Sequence, residues 1–125
     1  MTTLKLKRCY EPPSPDDGYR VYIDRLWPRG LSHDTFHYDT WDREIAPSTA
    51  LRHYFHENPD THWGDFEERY IIELTQNPRW NHFADSMASH DVVTLLYSSR
   101  NQQENNAVVV VSALIRFRPQ QFRKG

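Results

Sequence analysis

The chain holds a single cysteine, Cys9, so no internal disulfide can form, and a reducing cytoplasm is the expected compartment. It has no apolar run near the roughly 20 residues of a membrane span, and Met1 to Lys7 carries no apolar signal core. A membrane partner is therefore not expected. With only four glycines, the chain contains no GxGxxG, Walker or GxSxG pattern, so dinucleotide, NTPase and α/β-hydrolase chemistry lack support and no cofactor is expected. A net charge of -2 argues against a protein that coats nucleic acid, because phosphate neutralisation needs a basic surface. Lysine is scarce too: Lys5, Lys7 and Lys124 are the only ones among 15 basic residues. The remainder is arginine, the side chain suited to planar, bidentate anion recognition, although genomic base composition produces the same bias.

What is present concentrates in Arg20 to Gly30. Tyr19, Val21 and Ile23 alternate with Arg20, Tyr22 and Asp24, the pattern of a strand. Pro28 and Gly30 then end regular structure. Asp24, Arg25, Trp27 and Arg29 would thus sit at the carboxyl end of a strand, where open α/β sheets form ligand crevices. The competing reading is a structural Asp24–Arg25 ion pair with Trp27 packed for its bulk.

The rest of the chain alternates strands and helices. Thr3 to Cys9 reads as a first strand and Tyr10 to Gly18 as a loop. Cys9 lacks an obvious local activator, so the expectation is a small buried hydrophobe. A short third strand falls around Trp41. Ser48 caps a helix bearing Leu51, Tyr54 and Phe55, which Asn58-Pro59 ends. A second helix runs from about Trp63 to Gln76. A third is capped by Asn77, with Pro78 at its first position and an apolar stripe through Trp80, Phe83, Ala84, Met87 and Ala88. Val92 to Tyr97 is an apolar strand covered on both faces. Asn101 and Glu104 resemble a capping box, which predicts a last helix over Gln102 to Phe117 despite the strand propensity of Val108 to Val111. The residues from Arg118 to Gly125 read as a loose tail. Helices between strands require crossovers, hence a single α/β domain over residues 1–125 with a short, mostly parallel sheet flanked by helices.

Asp24-Arg25-Leu26-Trp27-Pro28-Arg29-Gly30 matches the hallmark of the YeaO-like proteins, a branch of the families called domain of unknown function 488. Trp41-Asp42, Ala46-Pro47-Ser48, Leu51-Arg52, Phe66, Tyr70, Thr94 to Ser98 and Asn105 resemble later segments of that family. The resemblance implies a small cytoplasmic domain with a Rossmann-like three-layer core, and it implies no reaction. One departure stands out. Where the family usually shows an Asn-His or Cys-His pair before the last helix, this chain has Asn105-Asn106. Asparagine cannot titrate near neutral pH, so any family function that uses the histidine as base or metal ligand is altered here.

A parallel sheet gathers its strand ends on one edge. That edge would bring Asp24, Arg25, Trp27 and Arg29 together with Tyr97, Ser98, Arg100, Asn105 and Asn106, with Arg43 and Arg52 approaching from the third segment. Arginines near a helix amino terminus suit a phosphate or carboxylate, although Glu104 at that helix start opposes an anion. Trp27 and Tyr97 offer flat faces for a ring, and Asp24 is the candidate acid or base. The leading expectation is a site for an anionic small ligand, phosphate-bearing or nucleotide-like, with catalysis left open. The alternatives are a nucleic-acid-binding regulator, opposed by the acidic stretch Glu57 to Glu73, and a non-catalytic protein-interaction module. His53, His56 and His62 lie near Glu57 without a standard ligand spacing, so no metal is expected.

Overall fold

A computed structural model describes all 125 residues. Five strands form one sheet: β1 (Thr2–Arg8), β2 (Tyr19–Tyr22), β3 (Thr40–Trp41), β4 (Val92–Tyr97) and β5 (Phe122–Lys124). The four helices are α1 (Thr49–Glu57), α2 (Pro59–Gln76), α3 (Trp80–Ala88) and α4 (Asn106–Phe117). Every strand pair is parallel, and the order across the sheet is β3-β2-β4-β1-β5. The fold is α/β, with a Rossmann-like three-layer arrangement.

The order of strands decides which face each connection covers. From β1 the chain moves past β4 to β2 and on to β3; from β3 it reverses direction, to β4 and then β5. Right-handed crossovers place these two sets of connections on opposite faces. The sequence obeys this. Leu4, Val21, Val93 and Leu95 face the helices and join one core with Phe66, Phe83, Met87 and Leu114. The alternate residues Tyr22 and Leu96 face the other way and pack with Cys9 and Phe36. The second covering layer is thus a 3-10 turn at Pro15–Asp17 and an aromatic loop, not an α-helix. Each fully buried large apolar side chain contributes about 1.5–3 kcal/mol, so both faces matter to stability.

Gly18 joins the 3-10 turn to β2 with φ 62°. A Cβ there would lie 2.7 Å from the Val92 Cβ and closer still to its carbonyl oxygen. Next to it Asp17 is buried beside Lys7 and Arg20. Its carboxylate accepts from Lys7 Nζ at 3.1 Å and from the Ser14 N–H at 3.0 Å, and it pairs with Arg20 Nη1. This ion cluster sits under the loop layer, away from the carboxyl edge of the sheet.

Four element boundaries differ from the sequence reading. α3 begins at Trp80, two positions after the expected Pro78, because Asn77 closes α2 and its Oδ1 accepts from the Arg79 N–H in the turn between the helices. Pro59 begins α2 as its first residue, four positions before the expected Trp63, because proline loses nothing where the helix has no N–H partner to offer. α4 begins at Asn106, capped by Asn105, whose Oδ1 accepts from the Val108 N–H at 3.0 Å. Asn101 does accept from the N–H groups of Gln103 and Glu104, but that turn is not continued into a helix. The expected loose tail is instead β5. Phe122 is buried, Thr2 N–H donates to the Gln121 carbonyl and Gly125 N–H to that of Leu4, both at 2.7 Å. Partner backbone, rather than local propensity, supplies that strand.

Candidate functional site

The registers Arg8↔Tyr97 and Tyr22↔Leu96 align the carboxyl ends of β1, β2 and β4. Connections leave β2 and β4 toward opposite faces, so their shared edge is a topological switch point, where the departing chains leave a crevice. A cavity of about 820 Å³ occupies it.

Asp24 follows β2 and lies at the centre. Its Oδ2 accepts from the Ser98 N–H at 3.0 Å and from Ser98 Oγ at 2.6 Å. Its Oδ1 accepts from Asn106 Nδ2 at 3.3 Å. These bonds tie the ends of β2, β4 and α4 together. Arg25 turns the other way: Nη2 donates to the carbonyls of Pro47 at 3.3 Å and Ala46 at 3.5 Å, and its buried Nε has no partner. The two neighbours therefore do not form the ion pair that the competing sequence reading allowed.

Arg25, Arg29, Arg52 and Arg100 all line the cavity, and sequence reasoning missed a fifth arginine there, Arg8. Arg8 donates from Nε to the Ser99 carbonyl at 2.9 Å and from Nη2 to that of Ser98 at 3.3 Å. None of the five takes part in a salt bridge, and Asp24 is the lone carboxylate in the lining. Positive charge therefore collects around one concave surface, the arrangement that focuses field on an anion.

Tyr97, Ser98, Asn105 and Asn106 also reach the cavity. Burial raises the Tyr97 phenol above its ordinary range, with Glu11 adding to the effect and Arg8 opposing it. Trp27 reaches the cavity as well, but its ring is held in an aromatic cluster with Phe36, Tyr38 and Trp41, and its Nε1 donates to the Leu31 carbonyl at 2.6 Å. Arg43 is not brought in: its guanidinium lies over the Trp41 ring, 4.7 Å from the centroid, because the Arg43–Ile45 3-10 turn carries it away from the edge. Glu104 immediately precedes the α4 cap, Asn105, and its side chain is not part of the cavity lining, while the first turn of α4 itself has no acidic residue.

Two further lining residues, Tyr10 and His56, were not assigned to this edge from the sequence. Tyr10 donates its hydroxyl to the Arg29 carbonyl at 2.9 Å and carries Arg8 over its ring. Desolvation lowers the His56 pKa below 6.5, and the nearby Arg52 and His53 add to this while Asp24 opposes it. Cys9 is buried beneath the edge, and its thiol is pushed up to about 11 by burial and then by Asp24, so it is held as the unreactive thiol. His62 stacks on Tyr54 and bonds its carbonyl at 2.6 Å. No group of three or more His, Cys, Asp or Glu side chains converges to hold a metal ion. No helix is long and apolar enough to cross a membrane.

This fold and edge define an α/β domain with a crevice at its topological switch point. Residues 3–122 match a family model described as "Inactive DUF488-N3 subclade", and the chain belongs to that family. It is 40% identical over 111 residues to the Uncharacterized protein YeaO of Escherichia coli, covering 89% of this chain and 96% of that one. It is also 32% identical over 113 residues to the Uncharacterized protein Rv3073c of Mycobacterium tuberculosis, covering 90% and 94% respectively. No solved structure matches the chain.

Proposed function

We propose that this protein is a cytoplasmic, non-catalytic binding domain for a small anionic compound that carries phosphate, with nucleotides in that class. The observation that carries the reading is the set of five arginines around one cavity, none of them neutralised by a salt bridge. Guanidinium groups fixed through backbone carbonyls, as Arg8 and Arg25 are, present a preset fork to phosphate oxygens. The amino end of α4 borders the same space and adds the positive end of its dipole.

Three features favour binding without turnover. Asp24 is the one carboxylate in place, and both of its oxygens already accept hydrogen bonds. Cys9 is buried with a raised pKa. Asn106 stands where the YeaO-like proteins usually carry histidine, and the matching family model is itself described as inactive. The buried free thiol suits a reducing compartment. The acidic stretch from Asp60 to Glu73 on α2 disfavours nucleic acid as a partner. The exposed apolar residues Leu26, Ile72 and Phe117 lie on separate elements, which gives little support to a protein-docking face.

Isothermal titration with inorganic phosphate, nucleotides and sugar phosphates tests the reading. Binding that weakens with salt and is lost in Arg25→Ala and Arg52→Ala, both still folded, is the expected result. Silence across the panel at millimolar ligand overturns it.

A further inference from the structure

We infer that Glu73, which lies outside the anion cavity, is a positioning residue for it and acts on Arg25 through the peptide group that joins Pro47 to Ser48. This rests on the anion-site reading above and adds a residue on which that site depends. The segment from Glu44 to Ser48 runs from a 3-10 turn into α1, and Ile45, Ala46 and Pro47 are buried. Buried carbonyls need partners, and here side chains supply them. Asn77 Nδ2 donates to the Glu44 carbonyl at 2.8 Å, and the Tyr70 hydroxyl donates to that of Ile45 at 2.7 Å. Arg25 Nη2 donates to the next two, Ala46 and Pro47.

Glu73 takes the other end of the last of these peptide groups. Its Oε1 accepts from the Ser48 N–H at 2.8 Å and its Oε2 from Ser48 Oγ at 2.6 Å. The Pro47 carbonyl and the Ser48 N–H belong to one planar trans unit and point in opposite directions. The carboxylate that fixes the N–H therefore fixes the direction in which the carbonyl meets Arg25. A charged acceptor on the N–H also polarises the carbonyl and strengthens it as an acceptor. Arg25 is sensitive to this, because its bonds to Pro47 and Ala46 are long, 3.3 and 3.5 Å, and its buried Nε has no partner. The same Ser48 caps α1, its Oγ accepting from the Leu51 N–H at 3.2 Å, and α1 carries Arg52 into the cavity. Arg25 and Ala46 line both the anion cavity and a smaller one of about 320 Å³, whose lining also includes Glu73 and Ser48. The relay thus joins two neighbouring hollows through one arginine.

Charge alone would give Glu73 the opposite role, since a carboxylate near Arg25 weakens the hold on an anion. Two variants separate these effects. Glu73→Gln keeps the reach and removes the charge: its Oε1 accepts from the Ser48 N–H while its Nε2 donates to Ser48 Oγ. Glu73→Asp keeps the charge but is a methylene too short to reach Ser48. Calorimetry on the full chain with inorganic phosphate and ribose 5-phosphate at fixed ionic strength reads the affinity, and circular dichroism melts establish that each variant folds. Glu73→Asp should weaken both probes by about threefold or more, and Glu73→Gln should bind them at least as tightly as the parent. A smaller loss in Glu73→Asp, or any weakening in Glu73→Gln, overturns the inference while leaving the anion site standing. No binding of either probe to the parent protein overturns both.

Discussion

Asp24→Asn separates the structural from the electrostatic part of the central carboxylate. The amide is nearly isosteric. Its Oδ1 can take the place of the oxygen that accepts from Ser98 N–H and Oγ–H. Its Nδ2 then faces Asn106, which turns its own amide to present oxygen. Every bond keeps a partner, so the stability cost is that of replacing charged by neutral hydrogen bonds, about 1 kcal/mol. The electrostatic change is larger. Arg25 and Arg52 line the same cavity as Asp24, and a phosphate held by them is taken as ~5–10 Å from its carboxylate. Removing one negative charge at that range in an effective dielectric of ~20 is worth roughly 1.5–3 kcal/mol. The cavity opens to water, so the lower end applies: inorganic phosphate should bind about tenfold more tightly. Titration at low and moderate salt measures this, and the gain should shrink as salt rises. A folded Asp24→Asn protein that binds phosphate more weakly than the parent would refute the placement of the anion beside the arginines.

Gly18→Ala should be among the most damaging single-methyl changes, since φ 62° with ψ -134° is a region that only glycine occupies readily and the new Cβ meets Val92 backbone. A loss of about 3 kcal/mol or more in urea unfolding is expected, and an unchanged midpoint would contradict it. Asp17 gives the acid limb of the stability curve. Burial alone would raise its pKa, but the Ser14 N–H, Lys7 and Arg20 outweigh that and hold it below the ordinary carboxylate range. Its stabilisation is thus complete above the unfolded pKa and drains away as pH falls through the lower folded value. Asp17→Asn should remove that limb and cost about 3–5 kcal/mol at pH 7, because Arg20, 7% exposed, loses its charged partner; unfolding measured from pH 2 to pH 7 decides. Cys9, with its thiol near 11, should resist a thiol reagent at pH 8 in the native protein and react promptly in denaturant. Rapid native labelling would mean that the β1 end opens more readily than its burial indicates.

Elements whose pattern repeats within one segment were legible without coordinates. The stripe from Trp80 to Met87 and the apolar run Val92 to Tyr97 fall where periodicity puts them. Errors arose where two nearby residues offered the same local chemistry or where the stabilising partner was remote. Asn101 and Asn105 both carry side chains able to cap a helix, and only the packing of Ala107, Val110 and Val111 against the core selects the second. β5 has one buried side chain, Phe122, and owes its existence to the edge of β1. At the site, Asp24 and Ser98 were grouped from strand-end logic, and Asn106 was marked by its departure from the family pattern. Applied to β1, that logic would also have found Arg8. His56 lies one helical turn after Arg52, so the same face of α1 could have supplied it. The confinement of Trp27 by Phe36, Tyr38 and Trp41 had no local signal, because those contacts depend on how the loop after β2 folds back.

The Asn106 side chain bears on what the site can do under the proposed reading. Its amide reaches Asp24 Oδ1, a position from which an imidazole would exchange protons with the carboxylate. The amide can hold Asp24 in place but cannot relay a proton. The other titratable group nearby, His56, lies on the Arg52 side, where burial and the adjacent cations disfavour its charged form. Bound phosphate would oppose that preference by adding negative charge. Anion recognition and proton transfer thus rest on different residues at this edge. On that reading, replacing an imidazole by the Asn106 amide would leave the arginines, the switch-point crevice and the α4 terminus in place.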